Sequence, residues 1–415
     1  MLGCNLQSML ANRRLFAIFC MGFSSGLPLM LTLSTLQAWY TQAGVGILTI
    51  GTLSLVGIPY LLKFLWAPWM DRFAPLKGGR RRGWILITQV GLVVSLLVLA
   101  GLDPRVEPRL IGFIALMVAF FSASQDVSVD AYRADILLPE ERGVGAAYYI
   151  FAYRMAILIS GAFALVLADH VGWRFTYQVM AGLIAVSAIG VCFAPNPQEL
   201  SPPTDIWLTI RHAFQDLLRR ESIILLLLFV VFYKLGDALA LSLITNFLLH
   251  GLGFTLTEVG LVYKTTSLVG TIVGAFIGGI ALARMGMFQS LLIFGIAQMF
   301  STLTFVVLAM VGKSFSLMVA SVFIENLCSG MSTVAFMAFL MSLCHLRYTA
   351  TQYACLSALA AVGRVCLGPI AAIMVLHLGW ISFYVWSFAM SFPGLFLLGL
   401  LRTKKVSFDA KTAEC

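Results

Sequence analysis

Nine ionisable side chains sit inside long apolar stretches: Lys63, Asp126, Asp130, Arg154, Lys234, Asp237, Lys264, Glu325 and Arg364. On an insertion scale each costs roughly 2.5–3.5 kcal/mol at a lipid-exposed helix centre, so nine cost on the order of 25 kcal/mol. That exceeds a typical folding free energy. These groups must therefore face one another or a wet cavity. Five are cationic and four anionic, which permits mutual pairing and also suits a path for charged cargo. A lone membrane carboxylate is a natural proton carrier, and Asp126 and Glu325 are the two candidates. For Asp126 the competing account is a structural pair with Arg154 on the neighbouring helix. Guanidinium grips carboxylate through two parallel hydrogen bonds. Arg154 and Arg364, at matching depths in the two halves of the chain, therefore suit an anionic substrate group, or else they bond helix carbonyls. Lys234 and Asp237, three residues apart, either neutralise each other or touch substrate. Lys63, Lys264, Gln37, Gln125 and Asn326 complete the polar candidates for substrate contact. Trp39 can stack on a sugar ring or belong to an interfacial aromatic belt.

Enzyme chemistry finds no support. Gly22-Phe23-Ser24-Ser25-Gly26 matches G-x-S-x-G, but the hydrolase motif needs a strand-to-helix elbow and triad partners. Here it lies in an apolar run of spanning length, and the five histidines sit in loops or at the ends of such runs. The sequence offers no metal pair, P-loop or dinucleotide fingerprint, so neither a cofactor nor a metal is expected. The eight cysteines lack zinc spacing and read as packing residues or free thiols.

Twelve elements must position these groups. The 415 residues are 60% hydrophobic and 11% charged, too few charges to give a soluble surface. In lipid every backbone polar group must be paired internally. Continuous apolar runs such as 223–232 and 291–311 favour helices over the alternating strands of a barrel. At roughly 20 residues per crossing, the runs predict helices at 15–40, 47–70, 83–102, 109–132, 143–168, 174–194, 222–249, 257–283, 287–311, 315–344, 349–375 and 380–401. Residues 195–221, with four prolines, read as a cytosolic linker between a six-helix half (1–194) and a second one (222–402). Residues 403–415 form a tail.

With both termini cytosolic, 18 of the 27 Lys and Arg residues fall on inside loops and tails. Only Arg105, Arg109, Arg174 and Lys313 fall outside, which fixes orientation. The net charge of +9 is then a topology signal with attraction to anionic lipid, and nucleic acid is not a partner. The halves echo each other at an offset near 210, with Phe23 matching Phe232 and Arg154 matching Arg364. Two six-helix repeats around a central cavity are the major facilitator architecture. Asp71-Arg72 and Gly79-Arg80-Arg81-Arg82-Gly83 fit the short cytosolic loop after its second helix. With Asp130 these residues are candidates for a charged gate. Gly270, Gly274 and Gly278 give one smooth helix face for close packing.

The chain also resembles the AmpG muropeptide permeases. The resemblance rests on Gly26-Leu27-Pro28-Leu29, on Thr35 through Trp39, and on Lys63-Phe64-Leu65-Trp66 running to Arg80-Arg81-Arg82-Gly83-Trp84. It continues through Ser122 to Asp126, Tyr233 through Ala238, Glu325-Asn326-Leu327-Cys328 and Gly363-Arg364-Val365. Tyr132 and Asn246 depart from the family pattern. The resemblance implies a bacterial inner-membrane permease importing GlcNAc-1,6-anhydroMurNAc and its peptide derivatives from periplasm to cytosol, driven by protons. Cell-wall recycling and β-lactamase induction are the implied processes. Two other readings stay open: a carrier of another anionic substrate such as an acyl-CoA-like molecule, and a membrane sensor without flux.

Overall fold

A computed structural model describes residues 13–75, 79–137, 142–195, 222–343 and 349–404. The linker expected at 195–221 lies outside the described residues after Pro195, and the tail at 403–415 after Lys404. Among the described residues all regular structure is helical. Eleven helical segments are long and apolar enough to cross a membrane. The last, Cys355–Thr403, is 49 residues long, about twice what one crossing needs. Gly379 interrupts it at φ 74° and ψ 173°, a conformation that costs a side chain dearly. Among the described residues twelve spanning helices result, each within a few residues of its expected position.

We label them α1 (Arg13–Gln42), α2 (Ile47–Leu65), α3 (Arg80–Ala100), α4 (Pro108–Ile136), α5 (142–171) and α6 (Trp173–Cys192). The second series is α7 (Ile223–Gly251), α8 (Leu256–Met285), α9 (Met287–Val311), α10 (Phe315–Ser342), α11 (349–378) and α12 (380–403). The described residues fall into two compact units, within Met1–Val45 plus Val56–Thr204 and within Gly46–Leu55 plus Asp205–Cys415. The opening turns of α2 thus group with the second unit. There Ser54 Oγ donates to the Val365 carbonyl at 2.7 Å.

Small residues set the helix contacts, as expected where lipid offers no hydrophobic drive. A methyl group at Gly22 would lie 2.6 Å from the Tyr149 carbonyl oxygen, and one at Gly26 would lie 2.5 Å from that of Tyr153. The glycines of the G-x-S-x-G match therefore bring α5 against α1, with no hydrolase elbow. In the second unit Gly270, Gly274 and Gly278 face Phe323, Leu327 and Met331 of α10.

The helices that carry polar groups are irregular. Pro28 lies inside α1, and the helix is interrupted further on at Leu33 (φ −109°, ψ −102°). In α7 the ladder breaks at Lys234 (φ −102°, ψ 4°) and again at Leu243. Single π turns occupy Ile159–Phe163 of α5, Phe247–Gly251 of α7 and Val259–Tyr263 of α8. Such turns re-aim the side chains around them.

The glycine face yields a test with its own control. A Cβ at Gly274 would run into the Leu327 carbonyl oxygen, whereas Gly279, on the same helix, has nothing within 4 Å. Gly274→Ala should cost about 1–3 kcal/mol by overpacking, read as a lower unfolding temperature of the purified protein. Gly279→Ala should not lower it. Equal effects would mean that the glycine face does not set the α8–α10 distance.

Candidate functional site

In the first unit the polar residues converge on Ser24 of α1. Gln89 of α3 and Gln125 of α4 both donate to Ser24 Oγ, at 2.9 and 2.8 Å, and Ser24 Oγ donates to the Met21 carbonyl at 3.1 Å. Both glutamines are fully buried. Their amide oxygens, with Asp126 Oδ1, Tyr60 OH and Ser122 Oγ, are enclosed without a hydrogen-bond partner among the described residues. A cluster with so many unfilled acceptors is costly unless protons or polar cargo visit it. The Asp126 carboxyl lies beside Ser25, and Lys63 and Asp130 are the charged groups that act on it. Trp66 Nε1 fixes the adjacent Ser124 by donating to its hydroxyl at 2.9 Å.

The second unit carries a denser cluster. The break in α7 places Lys234 one residue before a new helical segment whose first turn contains Asp237. Lys234 Nζ lies 3.5 Å from Asp237 Oδ2 and donates to Thr333 Oγ1 at 3.0 Å. Gln298 of α9 donates to Asp237 Oδ1 at 3.1 Å and to Glu325 Oε1 at 2.9 Å. Glu325 is 1% exposed. Next to it, Asn326 ties α8 to α10: its Oδ1 accepts from Ser267 at 2.6 Å and Thr271 at 3.3 Å, and its Nδ2 donates to the Val322 carbonyl. Lys264 lies over the Tyr263 ring, 5.1 Å from its centroid.

Arg154 of α5 and Arg364 of α11 are both exposed. Among the described residues neither guanidinium has a hydrogen-bond or ion-pair partner. The pairing of Asp126 with Arg154 is therefore not formed. Trp39 is 6% exposed. It stacks on Trp173 at 5.7 Å and meets Tyr177 at 5.0 Å. The second unit repeats this triad with Phe247, Trp380 and Tyr384, where Phe247 is 5.0 Å from each of the other two rings. In both units the tryptophan follows a glycine of positive φ, Gly172 or Gly379, within His-x-Gly-Trp. Packing thus occupies the ring of Trp39, and the same design appears twice. Gln37 is buried nearby in α1.

At the rim near the start of α3, Arg81 Nε pairs with Asp135 at 3.2 Å. Asp130 pairs instead with Arg133, at 3.1 Å, and the Arg133 guanidinium lies 3.9 Å from the centroid of the Tyr149 ring. Arg82 donates to the carbonyls of Cys192 and Ala194 at the end of α6, and Arg80 Nε is enclosed without a partner. Asp71 and Arg72 are helical, but their side chains lie outside the described set. Sequence reading missed Gln89, Gln298 and Asp135. The two glutamines carry no charge to mark them, though an amide in an apolar helix is itself a usable signal.

The model of the Major Facilitator Superfamily matches residues 14–365. The chain is 47% identical over 387 residues to the anhydromuropeptide permease of Escherichia coli K12, covering 93% of this chain and 79% of that one. It is 33% identical to a putative transporter AmpG 4 of Rickettsia conorii, covering 94% and 97%. Among solved structures it resembles a mutant form of the nucleoside transporter NupG, with a TM-score of 0.67 at 14% identity over 94% of this chain and 100% of that one. That likeness speaks for the fold alone.

The rim geometry assigns partners that a double-mutant cycle can check. Arg81→Ala and Asp135→Ala should be non-additive in thermal stability by about 1 kcal/mol, the upper range for a partly exposed pair. Arg81→Ala with Asp130→Ala should be additive. The reverse pattern would return Asp130 to the basic segment.

Proposed function

This chain belongs to the major facilitator superfamily and, within it, to the AmpG muropeptide permeases, and we propose that it imports anhydro-muropeptides across the bacterial inner membrane. It is a multi-pass membrane transporter and not an enzyme. The observation that carries the substrate reading is the 47% identity, over 93% of this chain, to the Escherichia coli permease. The cargo is then a disaccharide with a peptide stem, rich in hydroxyls, amides and carboxylates. Lys and Arg asymmetry supports both termini in the cytosol, so that import runs from the periplasm.

The side chains take roles consistent with that cargo. Arg154 and Arg364 receive substrate carboxylates, because each offers an unengaged planar fork of donors. Lys63, Lys234 and Lys264 add positive charge along the path. Gln37, Gln125 and Asn326 serve chiefly as helix ties that keep the walls in place, and Trp39 anchors the end of α1. Asp126 is a proton site of the first unit, with Lys63 as its electrostatic counterweight. Arg80–Arg82 with Asp71, Arg72, Asp130 and Asp135 form a charged cytosolic rim that makes and breaks contacts as the transporter alternates access.

Labelled GlcNAc-anhydroMurNAc-tetrapeptide and purified protein in liposomes test the assignment. Saturable uptake of the muropeptide, not displaced by acyl-CoA, is expected; displacement by acyl-CoA without muropeptide entry would overturn it. Arg154→Lys and Arg364→Lys keep charge but lose the fork, so each should weaken muropeptide binding about tenfold, equivalent to about 1.4 kcal/mol. Unchanged affinity in both would make these arginines structural. Asp126→Asn should still bind muropeptide yet fail to concentrate it against a gradient, and undiminished accumulation would remove Asp126 as a proton site.

A further inference from the structure

The second unit holds two carboxyls and one ammonium in a single hydrogen-bonded group. Gln298 gives one N–H to Asp237 and one to Glu325. Lys234 contacts Asp237 directly, and Ser329 Oγ lies 3.4 Å from the same Asp237 oxygen. Glu325 Oε2 is enclosed without a hydrogen-bond partner among the described residues, and one nitrogen, Gln298 Nε2, holds Asp237 Oδ1 at 3.1 Å and Glu325 Oε1 at 2.9 Å. Two carboxylate oxygens brought together are both acceptors and repel unless a proton lies between them.

Among the described residues, the cation in ion-pair contact with the two carboxyls is Lys234, through Asp237. Facing Glu325 are Tyr263 of α8, Cys328 on its own helix and Tyr384 of α12, all neutral as phenol or thiol. Lys264 of α8 sits against the Tyr263 ring, and the charges acting on Glu325 include Asp237 and Lys234. With both carboxyls ionised the group would carry a net negative charge inside an apolar bundle. One proton makes it neutral.

We propose that Asp237 and Glu325, bridged by Gln298, form a proton site that holds one proton while Lys234 is engaged and takes a second when an anionic substrate draws Lys234 away. The exchange balances. In the resting group the ammonium compensates Asp237, and Glu325 is the acid. When Lys234 turns to a substrate carboxylate, Asp237 loses its counter-ion and becomes an acid by taking a proton from water-borne hydronium, releasing water. One cargo carboxylate and one proton thus enter together, and neither leaves net charge in the unit. Gln298 is the positioning residue, since its amide keeps the two carboxyls in register. The coupling half of the proposal rests on the anionic cargo assigned above; the proton count of the resting group does not.

Two arms separate these halves. Infrared spectra of the purified protein at neutral pH report protonated carboxyls through their carbonyl stretch, with no substrate present. Glu325→Gln or Asp237→Asn leaves a single carboxylate opposite Lys234, so each should reduce the band by one carboxyl. Lys234→Met removes the counter-ion, so it should raise the band by one. Variants with native melting behaviour that leave the band unchanged overturn the proton site. The second arm measures GlcNAc-anhydroMurNAc-tetrapeptide binding by calorimetry in two buffers of unlike ionisation enthalpy. Uptake of about one proton per bound ligand by the parent, reduced to none in Lys234→Met, is expected. Binding without proton uptake overturns the exchange. Absence of any binding would count against the substrate assignment, while the infrared result decides the proton site alone. Gln298→Leu should lower proton uptake with a smaller effect on affinity, and full rescue by Gln298→Asn would show that an amide at that position suffices.

Discussion

Charge removed from water must find a counter-charge, a donor or a proton, and this demand organises the whole chain. A sequence with 11% charged residues spends several of them inside helices that are otherwise apolar. The helices in turn are shaped around those residues. Pro28 lies in α1 one turn from the Ser24 hub, and the break at Lys234 divides α7 at a junction that carries the ion pair. Discontinuous helices at such depth are tolerated only where neighbouring protein or a wet path satisfies the freed backbone. The irregularity and the charge therefore belong to one design, in which breaks in the ladder are offset by side-chain hydrogen bonds.

The two units solve this problem with different chemistry on a shared frame. The frame is visible in the paired aromatic triads, Trp39 with Trp173 and Tyr177, and Phe247 with Trp380 and Tyr384. Each includes a tryptophan that follows a glycine of positive φ at the same point of its unit. Within that frame the first unit gathers uncharged amides and hydroxyls around Ser24, with Asp126 beside them. The second gathers an ion pair and a further acid around Gln298. The aromatic frame is thus common to both units, while the buried polar side chains within it differ.

The helices were legible because apolar runs of spanning length admit few alternatives, and the charged residues stood out for the same reason. Partners were harder to read. A helix turns about 100° per residue, so an error of one residue in a boundary moves a side chain to another neighbour. That is why the contact expected for Asp130 with the arginine segment is made by Asp135, and why Asp126 and Arg154, on adjacent helices, do not meet. Gln89 and Gln298 carry no formal charge to mark them in an apolar run, although a buried amide obeys the same rule of satisfaction. The His-x-Gly-Trp repeat at 170–173 and 377–380 was also present to be read. It identifies Trp39 as part of a packed triad, where composition alone left a sugar-stacking role open.

On the proposed function, cargo and protons move together in one direction, and the Lys234–Asp237–Glu325 group is neutral both before and after they bind. The most direct measurement traps a pH-sensitive dye inside liposomes carrying the purified protein and adds anhydro-muropeptide outside, with no gradient imposed and the membrane potential clamped. The lumen should acidify in step with muropeptide entry, at a fixed ratio of protons to substrate. Muropeptide entry with no change in luminal pH, or with alkalinisation, would contradict it.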